Sequence, residues 1–131
     1  ILIESDRYEN LNSPIILPLG NIPDSIKVLL NNVDLLDFGL SIKQGEFIIK
    51  NNGCTLSSAL SLFYAISIAT ASGASRILLA GADGYEASDP RYKEVALLFE
   101  QYVSLDEAIP IFAITKTTYP IKQKSIYDPS I

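Results

Sequence analysis

Three short polar segments hold the side chains best suited to chemistry. The first, Asn51-Asn52-Gly53-Cys54-Thr55-Leu56-Ser57-Ser58, joins an apolar extended run to a long apolar stretch. At a helix start, free backbone N–H groups and nearby hydroxyls can hold an anion, assisted by the helix dipole. The same hydroxyls also suit plain capping of a first helical turn. Both readings stay open, with Asn52, Thr55, Ser57 and Ser58 as candidate ligand contacts. The second segment is Gly81-Ala82-Asp83-Gly84-Tyr85, two glycines around a carboxylate just after an apolar run. Glycine accepts backbone angles that let a ligand approach closely. Asp83 can take hydrogen bonds from sugar or ribose hydroxyls or help hold a cation, and Gly84 and Tyr85 stand beside it. The alternative is a tight turn in which Asp83 bonds its own backbone. The third segment, Thr115-Lys116-Thr117-Thr118-Tyr119-Pro120, offers Thr115, Thr117 and Tyr119 to a phosphate or sugar, although taken alone it reads better as an exposed loop.

Other chemistries are thinly supplied. Histidine is absent, which removes the commonest general base, any Ser-His or Cys-His pair and most zinc sites. Cys54 is the single cysteine, so no internal disulfide forms, and it reads as a small capping or core thiol. Asp34 with Asp37, and Asp106 with Glu107, read as solvated surface. No Gly-x-Gly-x-x-Gly fingerprint occurs. The net charge is −5 with no basic block, which argues against nucleic acid and anionic membrane as partners.

The elements that must position these segments follow from pattern. The chain has 131 residues, 48% apolar and 19% charged, enough for one folded domain with its own core. Ile1 to Ile3 reads as a strand, Pro14 to Gly20 as an extended piece and Asn21 to Asp24 as a turn. A short helical turn over Ser25 to Leu30 follows, then strands over Val33 to Phe38 and Glu46 to Lys50. The spacing predicts a helix from Thr55 to about Ser72, ended by Gly73, with Leu56, Ala59, Leu60, Phe63, Ile66 and Thr70 on one face. Asn51 to Ser75 carry no charge, a length that can span a bilayer, but the many hydroxyls and the opening Asn51-Asn52-Gly53 favour a helix buried within a soluble protein. Arg76 to Ala80 is a continuous apolar run, expected near the centre of a parallel sheet. Asp89-Pro90 starts a helix with the buried stripe Val95, Leu98, Phe99 and Tyr102. Ile109 to Ile114 is the last clear strand. Strand and helix alternate, as in right-handed crossovers. The expected fold is therefore α/β, a three-layer Rossmann-like domain with a largely parallel sheet. Such sheets bind ligands beyond the carboxyl ends of their strands. On that topology Asn52, Ser57, Asp83, Tyr85 and Thr117 should line one common cleft.

Several runs together resemble a known group. They are Asp6-Arg7-Tyr8-Glu9-Asn10-Leu11, Pro18-Leu19-Gly20-Asn21-Ile22-Pro23, Ser57-Ser58-Ala59-Leu60, Arg76 through Tyr85, Asp89-Pro90-Arg91 and Ala113 through Tyr119. The chain is similar to the C-terminal region of bacterial aldolase-type proteins, themselves similar to 4-hydroxy-2-oxovalerate aldolases, which accompany lipopolysaccharide or surface-sugar biosynthesis. The family's last motif usually reads Thr-Pro-Thr-Arg-Tyr, where this chain has Lys116 and Thr118. The resemblance implies that residues 1–131 form one Rossmann-like domain behind a barrel. That barrel would carry the aldolase chemistry with a divalent metal and would be this domain's partner in the same chain. A more distant resemblance reaches glycosyltransferase-related and pterin-pyrophosphokinase-like domains, but their Gly-rich loop after the first strand is not present.

The reading that follows is a cytoplasmic accessory domain that binds an anionic sugar, nucleotide or nucleotide-sugar, with no cofactor or metal of its own and no aldolase activity by itself. Its natural start is expected upstream of Ile1, which is not Met, and no leader pattern is seen there. The rivals are a transferase or phosphotransferase-like catalytic domain, and a structural or oligomerisation module in which a homo-oligomer forms.

Overall fold

The computed structural model describes residues 13–131, so the expected strand at Ile1 to Ile3 and the run Asp6 to Leu11 lie outside the described residues. The order is β1 (Ile15–Leu17), a 3₁₀ turn (Leu19–Asn21), α1 (Asp24–Leu29), β2 (Leu35–Asp37), β3 (Gly39–Ile42), β4 (Ile48–Lys50), β5 (Gly53–Leu56), α2 (Ser61–Ala71), β6 (Ile77–Leu79), α3 (Pro90–Val103), β7 (Ile111–Ala113) and β8 (Lys122–Gln123). The fold is mixed α/β. β1 pairs with β2, β5 lies between β3 and β4, and β7 lies between β6 and β8. Every pairing is parallel except β4 with β5.

β2 and β3 are two halves of one extended run. Phe38 N–H donates to Leu17 O at 3.1 Å, while Gly39 N–H donates to Asn52 O at 2.8 Å. Consecutive amides of a strand turn to opposite neighbours, so β1 lies on one side of this run and β5 on the other. The β1 ladder stops where side chains take over its next groups. Leu19 N–H donates to Asp37 Oδ1 at 2.9 Å, and Tyr64 Oη donates to Phe38 O at 2.5 Å. Burial, and secondarily the Cys54 and Asp37 charges, push the Tyr64 phenol up to about 12, so it stays a donor at neutral pH.

The long expected helix is shorter than its pattern. Thr55 is a strand residue in register with Ser41 and Ile48, not a helix cap. Lys50 pairs with Gly53, so Asn51-Asn52 makes a two-residue turn and the chain doubles back as β5. A strand in that place satisfies its backbone groups on both sides, which outweighs the helical spacing of an uncharged segment. Gly53 allows it: a Cβ there would lie 2.7 Å from Gly39 O across the ladder. α2 then starts at Ser61 and packs on β5 and β4.

α3 follows its signals. Asp89 caps it, accepting from Arg91 N–H at 2.9 Å, with Pro90 in the first turn. Val95, Leu98, Phe99 and Tyr102 are all buried, in one cluster with Phe38, Phe47, Leu56, Phe63 and Ile66. The Phe63 and Phe99 rings meet edge to face at 4.8 Å, locking α2 to α3. Tyr102 is fully buried. Its hydroxyl accepts from Ile109 N–H at 3.0 Å and lies 2.8 Å from Thr70 Oγ1, tying α3 to α2 and to the approach to β7.

The Arg76 to Ala80 run is not central. β6 is the end strand of its sheet, β7 is the middle one, and Leu78 is 38% exposed. The run is apolar on both faces, but only Ile77 and Leu79 pack against the core. No helix among the described residues is long and apolar enough to cross a membrane.

Candidate functional site

β6 and β7 run parallel, and beyond their carboxyl ends lies an open depression of about 450 Å³. The chain leaving β6 forms most of it, from Leu79 through Gly81, Asp83 and Gly84 to Tyr85, and Leu62 of α2 and Tyr119 complete the wall. The two loops are braced against each other. Ile114 N–H donates to Leu79 O at 2.9 Å, and Thr115 Oγ1 accepts from Gly81 N–H at 2.9 Å. Further out, Thr118 N–H donates to Asp83 O at 2.8 Å, and Thr118 Oγ1 donates to Tyr85 O at 2.7 Å.

Gly84 is what permits this closure. Its φ is 89°, a left-handed conformation that L side chains rarely adopt, and a Cβ would fall 2.2 Å from Thr118 Oγ1. With the backbone so held, the Tyr85 ring stands at the rim under a cation. The Arg91 guanidinium carbon lies 4.1 Å from its centroid. Arg91 is itself held by Asp89, through Nε at 3.0 Å and Nη2 at 2.6 Å. Hydrogen bonds from Arg91 lower the Asp89 carboxyl below its ordinary range, and the same partnership raises Arg91. The next residue, Tyr92, stacks on Tyr119 at 6.4 Å. The first turn of α3 therefore grips both aromatic walls. Burial pushes the Tyr119 phenol up. A smaller hollow of about 170 Å³ adjoins, where Leu60, Ser61 and Leu62 begin α2 beside Tyr85 and Tyr119. Leu60 gives that helix no side-chain cap, so its positive end opens there.

The candidate residues from the sequence separate into three places. Asp83, Gly84, Tyr85 and Tyr119 line the depression. Thr115 braces it, and Thr117 Oγ1 accepts from Tyr119 N–H at 3.2 Å, which shapes its outer loop. Asn52 and Thr55 line a different, polar depression of about 300 Å³ with Asp37, Ser41 and Lys50. Ser57 and Ser58 border a third, mainly apolar one of about 460 Å³ beside Leu97 of α3. The common cleft of Asn52, Ser57, Asp83, Tyr85 and Thr117 does not form. β5 is the cause: it carries Asn52 to one of its ends and Ser57 beyond the other. Ser57 is a brace, its Oγ placed 2.8 Å from Gln101 Oε1 and 3.1 Å from Glu46 O. Ser58 Oγ is buried without a partner among the described residues.

Thr118, Leu62 and the Arg91 contact were not singled out by sequence reasoning. Arg91 belongs to Asp89-Pro90-Arg91, a run that the sequence offers as a helix start and as part of the family resemblance, not as a contact to the site. Among the described residues no group of three or more His, Cys, Asp or Glu side chains comes together to hold a metal ion. No protein-family model, curated protein or solved structure matches the chain.

Proposed function

We propose that this chain is a ligand-binding domain that holds a hydroxyl-bearing small molecule, a sugar or the sugar part of a larger ligand, in the β6–β7 depression. The observation that supports this most is the pairing of Asp83 with two tyrosine rings in one open hollow at the carboxyl ends of parallel strands. A carboxylate accepts from hydroxyls, and aromatic rings cover the apolar face of a sugar ring. The wider setting, an accessory domain behind an aldolase-type barrel in surface-sugar biosynthesis, is part of the proposal and draws on the sequence resemblance alone. A three-layer Rossmann-like arrangement belongs with it, and α2 packed on β5 supports two of its layers.

Calorimetric titration with a panel of monosaccharides and nucleotide-sugars tests this reading. Binding should be lost in Tyr85→Ala and kept in Asn52→Ala. Equal loss in both variants, or no binding by any member of the panel, would refute it.

A second reading, a contact module, is favoured by one observation. Ile16 and Leu36 pair in register on β1 and β2, and both side chains are exposed. Sedimentation that shows a monomer over a wide concentration range would remove it as a self-association surface.

A further inference from the structure

We infer that the β6–β7 depression selects a cationic ligand, a hydroxylated amine such as an amino sugar, and discriminates against anions. The inference rests on the site reading above and concerns the charge of what enters. Asp83 is the only charged side chain among the residues that line the depression. Its carboxylate forms no ion pair among the described residues. The remaining polar side chains of the wall are two phenols, and since Tyr85 already carries Arg91 over its ring and Tyr119 already stacks on Tyr92, the charge preference rests on the carboxylate.

The cation at the rim is already committed, and Lys116 on the bracing loop is not among the residues that line the depression. Arg91 lies over Tyr85, but Asp89 holds it through two side-chain bonds and neutralises its charge. An anionic ligand would meet there a guanidinium whose charge the Asp89 carboxylate already balances. The positive end of α2 opens into the adjoining hollow, where it amounts to about half a charge and is screened in water. It does not cancel a full carboxylate inside the larger depression. An ammonium group on a sugar ring would face Asp83, while the ring hydroxyls meet backbone groups of the Gly81 to Gly84 loop other than Gly81 N–H and Asp83 O, which Thr115 and Thr118 hold. The exposed setting predicts a preference that weakens as salt is added.

Three hexoses that differ mainly in charge make the test: glucosamine, glucose and glucuronate, each titrated into the chain at neutral pH and low salt. Glucosamine should bind about tenfold more tightly than glucose, as one charge-assisted hydrogen bond implies, and glucuronate most weakly. Asp83→Asn should abolish the ranking while glucose binding persists. If glucuronate binds most tightly, or all three bind alike and all depend on Tyr85, the charge inference is overturned and the site reading stands. If none of the three shows binding that Tyr85→Ala removes, the site reading itself falls.

Discussion

Replacing Gly84 with alanine probes the closure of the loop that builds the site. Two effects combine. Alanine at φ 89° costs about 1–2 kcal/mol relative to glycine, because its Cβ crowds the following carbonyl. The new Cβ would also sit 2.2 Å from Thr118 Oγ1, so Thr118 must move. Its hydroxyl then loses the 2.7 Å bond to Tyr85 O, an exposed bond that contributes about 1 kcal/mol. Gly84→Ala should therefore destabilise the chain by about 2–3 kcal/mol. Thr118→Ala alone should cost about 1 kcal/mol through the same bond. In the double variant that bond is lost only once and the 2.2 Å clash with Thr118 Oγ1 is gone, while the Tyr119 ring carbons at 3.2 and 3.3 Å crowd the Cβ alike in the single and the double. The double should thus cost about 2–3 kcal/mol rather than the larger sum, a coupling of about 1 kcal/mol. Urea unfolding read by circular dichroism gives each value. A double variant whose loss equals the sum of the singles within about 0.5 kcal/mol would show that Gly84 and Thr118 do not meet as described.

Three other outcomes follow from the core and its edges. Tyr102→Phe strips a buried hydroxyl from Ile109 N–H and Thr70 Oγ1 and should cost about 1–3 kcal/mol in urea unfolding, whereas a loss below about 0.5 kcal/mol would contradict the network. Asp89 has its folded pKa lowered below the ordinary 3.8, so its stabilisation is complete above that value and is lost as pH falls through the lowered one. In Asp89→Asn the acid limb of the stability curve should be shallower than in the parent, and an identical limb would rule out this contribution. Cys54 is buried and its thiol pKa is raised by that burial, so a thiol reagent should label it only as the chain unfolds. Prompt labelling of the folded chain would mean that α2 does not cover β5.

What the sequence shows plainly is local and chemical. Asp89-Pro90 followed by an apolar stripe marks the start of α3 to the residue and its buried face, because a cap and a buried face act within one helix. The two glycines around Asp83 mark the loop that lines the depression, because left-handed backbone is written as glycine. What is hidden depends on pairing across the chain. Gly53 to Leu56 joins the following helix without a charged break, so its use as a strand between β3 and β4 is decided by partners rather than by its own spacing. That insertion moves Asn52, Thr55 and Ser57 away from Asp83. β6 misled for a related reason: an apolar run records burial of one face here, not a place in the middle of the sheet. Thr118 gives no local sign of its part, which exists only because Gly84 leaves room for its hydroxyl. Arg91 likewise acts through a reach from helix to loop that no spacing rule announces.

Amide chemical-shift mapping of the isotopically labelled chain, titrated with glucosamine, tests the central claim most directly. Binding in the β6–β7 depression should move the amides of Gly81 to Tyr85, Leu62 and Tyr119 in a saturable way, and leave those of Gly39 to Thr55 in place. Saturable shifts confined to Gly39 to Thr55, or none at all, would contradict the account.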